Sequence, residues 1–237
     1  MQTRLNKHEY DNLAFKYHYL TDDLGYLIDK IPQNISDQIK VNVDNIQSNF
    51  DPHIKVNDTL VGEIEHEYHI NPSNELKQYL KGLCERLEYG CKYYSNNFDV
   101  NEKLAFSPMW VNFQKKHEYN PIHSHHGIYS FVIWHKIPYN ISDEQKLTFR
   151  TDHSTSSNGQ FHFVYPIKGD KATPFPIDSV YLEMLDIDKT KEGYIAVFPS
   201  ILHHVVYPFY TSDEYRITIS GNIGTGNMLT GEYNVER

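Results

Sequence analysis

"EYNPIHSHHGIYSFVIWHKIPY", from Glu118 to Tyr139, places His123, His125 and His126 within four positions, just ahead of an apolar run rich in β-branched and aromatic residues. Such a run, bounded by Gly127 and Pro138, reads as a β-strand. On extended backbone, residues two apart project to the same side, so His123 and His125 can face one point while His126 points away. Two ligands of one metal need that geometry. A polar turn that happens to be histidine-rich is the other reading, because the chain holds 14 histidines.

Working outward, the same grammar repeats from Leu104 onward. "FSPMWVNFQK", "KLTFR", "GQFHFVYPI", "DSVYLEML", "GYIAVFPS", "HHVVYPFY" and "EYRITISGNI" are short, β-branched or aromatic, and separated by polar turns. Strands without interleaved helices predict a mainly β fold, an antiparallel sandwich or jelly roll. The stretch "EGYIAVFPSILHHVV" runs from a glycine turn through an apolar strand to His203 and His204, either of which can supply a further metal ligand. Beyond it, Arg216, Thr218 and Ser220 alternate with Ile217 and Ile219, which sets the polar residues on one face. A guanidinium inside a β core is costly unless an anion meets it. The bland reading of Arg216 is a salt bridge on a solvent-facing strand.

The first hundred residues read as mixed and partly helical. "SDQIKVNVDNIQSNF" (Ser36–Phe50) carries Ile39, Val43 and Ile46 at helical spacing, with Ser36 as its cap. In "NPSNELKQYLKGLCERLEYGCKYYSNNF", Asn71 caps and Pro72 takes the first helical position. Leu76, Leu80, Leu83, Leu87, Cys91 and Tyr94 then form an apolar stripe that buttresses the core. The expected organisation is a helical N-terminal extension over residues 1–100, packed on a β core over 101–237. Cys84 and Cys91 lie two helical turns apart, roughly 10 Å of rise, too far for a disulfide. They suit a reducing compartment, and with no signal peptide or membrane span in view the expected location is the cytoplasm. A net charge of −9 without a basic cluster argues against nucleic acid as a partner.

Taken together, "WVNFQKKHEYNPIHSHHGIYSFVIWHKIPY", "GYIAVFPSILHHVVYPF" and "EYRITISGNI", with a weaker "TLVGEIEHEYHI" (Thr59–Ile70), resemble the Fe(II)- and 2-oxoglutarate-dependent oxygenases. They are most similar to the small prolyl-hydroxylase-like oxygenases of phages and marine bacteria. The resemblance implies a double-stranded β-helix (jelly roll) buttressed by N-terminal helices, with Fe(II) as metal and 2-oxoglutarate and O₂ as cosubstrates. The substrate is not implied, though the family label suggests a peptidyl side chain. His123 falls on the first metal ligand and His204, five after Pro199 and two before Val206, on the last. Arg216 and Thr218 fall on the pair that holds the cosubstrate carboxylate.

At His125 the pattern departs, because the family usually has a carboxylate there. His125 is then a third ligand, or a residue that orients one, or the carboxylate comes from elsewhere, Asp152 being the nearest. A cupin-type three-histidine dioxygenase or isomerase uses a similar barrel, but no glutamate follows His125 at cupin spacing. A non-catalytic jelly-roll binding module is the alternative from another class. Trp110 and Trp134 are expected in the core. Asn112 and Gln114 share a face with Trp110 and either line the pocket or are satisfied core residues. Thr151–Gln160 reads as a loop beside the site, a candidate substrate lid.

Overall fold

The computed structural model describes residues 16–21, 24–99, 101–147, 156–167, 179–226 and 229. Its strands in chain order are β1 (Lys16–Tyr19), β2 (Gly25–Lys30), β3 (His66–Ile70), β4 (Ala105–Phe106), β5 (Met109–Gln114), β6 (Asn120–His123), β7 (Tyr129–Lys136), β8 (Phe161–Ile167), β9 (Ser179–Leu185), β10 (Tyr194–Pro199), β11 (His203–Val206) and β12 (Arg216–Gly224). The helices are α1 (Gln33–Asn49), α2 (Asn74–Cys91), α3 (Tyr93–Asn97) and the single turn α4 (Ile141–Glu144). An eight-stranded sheet runs β1-β2-β10-β7-β12-β5-β3, with β4 also on β12, and a four-stranded sheet runs β6-β11-β8-β9. The pairings within both sheets are antiparallel. This is the jelly-roll architecture that the strand pattern predicts.

Three layers explain why the central strands read as continuous apolar runs. Their two faces meet different partners, so neither face is polar throughout. On one side of the large sheet Ile133, Ile195, Val197, Ile217 and Ile219 pack against Ile39 and Val43 of α1 and Leu80 and Leu83 of α2. On the other side Trp134, Ala196 and Phe198 meet Phe161 and Phe163 of β8 across the gap between the sheets. β12 is the exception that matters: its helix-facing positions are isoleucines, while its inward positions are Arg216, Thr218 and Ser220.

The first hundred residues contribute more than a helical extension. β1 and β2 extend the large sheet at one edge and β3 extends it at the other, pairing with β5. "KYHY" and "HEYHI" are too short and too polar to announce themselves as strands; the sheet edge they complete makes them so. Both helix starts also differ from expectation. α1 begins three residues ahead of Ser36, after Pro32, and Ser36 already donates its backbone N–H to Pro32 O at 3.0 Å within the first turn. α2 is capped not by Asn71 but by Ser73, whose hydroxyl accepts from the Leu76 N–H at 3.1 Å, the reach a cap requires. The expected stripe from Leu76 to Cys91 is buried, and Tyr94 follows in α3 after a break at Lys92 (φ 55°). Cys84 and Cys91 are free thiols, as their spacing requires. The expected strand "KLTFR" falls mostly outside the described residues. No helix among those described is long and apolar enough to cross a membrane.

Candidate active site

β6 and β11 lie side by side in the small sheet, and their register sets His123 opposite His204. His125 follows two residues past the end of β6, held there by its backbone N–H on Ser200 O at 2.9 Å. The ring centroids of His123 and His204 are 4.2 Å apart, those of His123 and His125 4.9 Å, and those of His125 and His204 5.1 Å. One nitrogen from each ring can be chosen so that all three lie within 4.8 Å of one another. His203 and His126 are exposed and stay out of the cluster. The two-residue alternation of a strand makes that selection.

Two of the rings are aimed by backbone carbonyls. His123 Nδ1 lies 2.7 Å from Pro121 O and His204 Nδ1 3.1 Å from Leu202 O. A carbonyl only accepts, so each Nδ1 carries the proton and each Nε2 presents a lone pair. All three rings are held neutral. Burial lowers His123; burial and then the other two rings hold His204 well below the ordinary histidine range; burial, His123 and His126 push His125 down to about 3. Neutral, pre-aimed imidazole is the form that binds a metal. Among the described residues no carboxylate joins the cluster. Asp152, the alternative third ligand, lies outside them.

The cluster opens on a cavity of about 340 Å³ between the sheets. Arg216, Thr218, Asn112, Gln114 and both tryptophans also line it. Trp134 is buried, as expected; Trp110, also expected in the core, is half-buried with its ring 5.9 Å from that of His125. Arg216 is 2% exposed. Its Nε and Nη2 donate to Gln114 Oε1 at 3.0 and 2.7 Å, its Nη1 to Tyr139 Oη at 2.7 Å and Gly159 O at 3.3 Å, and its Nη2 also to Tyr207 O at 2.9 Å. The ring faces of Tyr139 and Phe209 flank it at 5.9 and 5.4 Å. Among the described residues the salt bridge of the bland reading is not formed: every acceptor there is neutral. Of those acceptors only Gln114 lines the cavity.

Thr218 Oγ1 accepts from Asn112 Nδ2 at 3.3 Å, one row along the sheet from Arg216 and Gln114. Thr151–Gln160 reaches the site at its end, where Gly159 O meets Arg216; its first five residues lie outside those described. Sequence reasoning missed Tyr139 and Tyr207, which act on Arg216 from just past the ends of β7 and β11, 77 and 9 residues away in the chain. It also missed Glu67 and Asn120, which line the cavity.

Residues 108–222 match the family described as "Putative 2OG-Fe(II) oxygenase". Over this segment the chain has the pattern of a 2OG-Fe(II) oxygenase. The match takes in every histidine of the cluster and Arg216, and with the family come its cofactors, Fe(II) and 2-oxoglutarate. No curated protein matches the sequence. Among solved structures the oxygenase is similar to a prolyl-4-hydroxylase of Pseudomonas putida, with 12% identity over 85% of this chain and 93% of that one, at TM-score 0.47. It is also similar to a prolyl hydroxylase from Trichoplax adhaerens in complex with a hypoxia-inducible-factor peptide fragment, at 12%, 96%, 90% and 0.48 in the same order. A third likeness is HygX from Streptomyces hygroscopicus with nickel, 2-oxoglutarate and hygromycin B bound, at 11%, 86%, 84% and 0.46. These are remote likenesses, and the reading of this site rests on its own residues.

Proposed function

We propose that His123, His125 and His204 hold the Fe(II), that Arg216 and Thr218 take the distal carboxylate of 2-oxoglutarate, and that the enzyme hydroxylates a C–H bond of a side chain inserted into the cavity, a peptidyl side chain being the reading that the family suggests. The donor set fits the metal. Three neutral nitrogens on one side of a buried point suit a divalent transition ion and leave its other side open. When bound, the iron supplies the oxygen chemistry by which 2-oxoglutarate, O₂ and R–H become succinate, CO₂ and R–OH.

The protein's own part is positioning. Pro121 O and Leu202 O fix two rings so that Nε2 faces the cavity. Trp134, Phe161 and Phe198 wall the site with apolar surface that excludes water. Arg216 supplies a planar fork for a carboxylate. Gln114 Oε1 already sits across that fork, accepting from Nε and Nη2 together, and of Arg216's acceptors it alone reaches the cavity. The cosubstrate carboxylate takes its place.

One observation carries the reading: a buried guanidinium whose acceptors among the described residues are all neutral shares a single cavity with three neutral imidazoles. A buried cation without a counter-anion is costly, and a carboxylate ligand removes the cost. The test is an anaerobic titration of Fe(II) and then 2-oxoglutarate, followed by the visible charge-transfer band of the chelate. Wild type should develop the band; Arg216→Ala should bind Fe(II) and fail to develop it at the same 2-oxoglutarate concentration. Absence of the band in wild type overturns the proposal.

A further inference from the structure

Beside the metal cluster, the cavity lining gathers three buried acceptor oxygens that lack a donor among the described residues. Glu67 on β3 is 1% exposed and lines the cavity, and its Oε2 has no partner among the described residues. Asn112 Oδ1 on β5 and Asn120 Oδ1 on β6 are buried in the same lining without a partner. The sheet brings them together: Glu67 stands opposite Asn112 in the β3–β5 register. Gly62, in the loop ahead of β3, marks how closely they converge. A methyl group there would lie 2.1 Å from Asn120 Oδ1 and 3.2 Å from Glu67 Oε1, so the two side chains meet over the bare Cα.

We propose that Glu67, Asn112 and Asn120 bind a cationic nitrogen group of the substrate, an ammonium or guanidinium. The inference rests on the cavity being the oxygenase's substrate site and adds the class of substrate. Counting protons decides it. If Glu67 is protonated, its one O–H can satisfy one of the amide oxygens and leaves the other orphaned. An ammonium has three N–H donors and a guanidinium up to five, enough for all three oxygens at once. Leaving a buried acceptor unpaired is costly, and a carboxylate–cation pair is the strong form of the missing bond.

The charges acting on Glu67 agree. Burial, then the Glu118 carboxylate, push it up to about 8, and Lys55 opposes them from outside the lining. Arg216, across β5, is not its counter-ion, being held by other partners. A cation delivered into the cavity supplies what the described residues do not. Glu67 and Gly62 lie outside the segment that matches the family, whereas Asn112 and Asn120 lie within it, so the carboxylate of this wall comes from the chain's N-terminal part.

The chain's two tryptophans, Trp110 and Trp134, both line the cavity, so intrinsic fluorescence reads its occupancy without any turnover. The probes are n-butylguanidinium and n-butylammonium, with n-butylurea as the neutral isostere and valerate as the anion. They are titrated into anaerobic protein loaded with Fe(II) and 2-oxoglutarate and, in parallel, into metal-free protein. At least one cation should give a saturable change with affinity at least about 10-fold above n-butylurea. Glu67→Gln should abolish that preference while leaving Fe(II) binding intact, and Asn120→Asp should strengthen it. Equal binding of n-butylurea, no saturable response to either cation, or an unchanged preference in Glu67→Gln overturns the proposal. The wild-type comparison of cations with urea stands even if a variant fails to fold. If 2-oxoglutarate binds normally and neither cation does, this inference alone fails. If the cations bind metal-free protein but 2-oxoglutarate binds nowhere, the oxygenase assignment of the site fails and the cation wall stands.

Discussion

The histidine end of the cavity and its Arg216 end solve opposite problems. At the first, three side chains are kept empty-handed: two Nδ1 protons are tied to backbone carbonyls and the remaining lone pairs are unshared. At the second, one side chain is fully engaged, its N–H groups spread over Gln114, Tyr139, Gly159 and Tyr207. A metal can therefore enter the first without displacing protein contacts, whereas an anion at the second must displace Gln114. In their proposed role, the histidines are a binding site that costs the fold little. Arg216, in its proposed role, is also part of the fold, since it joins β12, β5 and the strand ends around Tyr139 and Tyr207.

The largest expected effect breaks the first half of that contrast. His204→Ala or His123→Ala should lower Fe(II) affinity well beyond the 10- to 100-fold that residues merely orienting a ligand contribute, while circular dichroism still shows a folded β protein. Fe(II) binding as tight as wild type would remove these residues from the metal. His125 sharpens the same point: His125→Asp should retain the metal and His125→Ala should weaken it, and equal binding by His125→Ala and wild type would return the third position to a carboxylate such as Asp152.

Next comes Arg216→Ala, which should weaken 2-oxoglutarate by roughly 10- to 150-fold, the worth of a charge-assisted pair at about 1.5–3 kcal/mol. Unlike the histidine variants, it should also lower the unfolding midpoint, because Gln114 Oε1 and Tyr207 O lose their donor. Arg216→Lys keeps the charge without the fork and should fall between. A variant that loses 2-oxoglutarate with an unchanged midpoint would show that the arginine is a ligand and not a strut.

A smaller effect concerns pH and separates Glu67 from the histidines. Its native pKa is raised from the ordinary 4.5 to about 8, so between those values the native state holds a proton that the unfolded chain has released. Stability contributed this way is complete below about 4.5 and is lost as pH rises toward 8. The depressed histidines have the opposite sign. Denaturant midpoints of wild type minus Glu67→Gln should therefore fall from pH 5 to pH 8, with Glu118 and Lys55 common to both proteins; a flat difference would mean Glu67 is ionised throughout. The smallest effect is Thr218→Val, which removes one hydroxyl from the row beside Arg216 and should cost 2-oxoglutarate only a few-fold, about 1 kcal/mol, as isothermal titration would show.

How much of this was legible before folding depends on the range of the interaction that decides it. The alternation of Arg216, Thr218 and Ser220 with isoleucines is local, because a strand repeats every two residues, and it correctly foretold a polar inner face. His123-x-His125 was local in the same way, whereas the residues alone left His203 and His204 open and only the family resemblance chose His204. The stripe of α2 was equally plain, since a helix advertises its buried face every three or four residues. Its cap was misread because Asn71 and Ser73 are both good caps, and only the carbonyl-free N–H of Leu76 chose between them.

Other features had no local signal at all. "HEYHI" became a strand because β5 had an open edge. Glu67 sits among Glu63 and Glu65, chemically identical to them along the chain, and only the β3–β5 register buries it while Glu65 stays in solvent paired with Lys115. The partners of Arg216 come from four separated stretches of sequence, and no spacing rule links them. The sequence by itself determined which residues share a face and what chemistry that face could carry. Tertiary structure alone decided which faces meet, and so which charges lack a counter-charge, because burial and electrostatic pairing are properties of neighbours in space and not of neighbours in the chain.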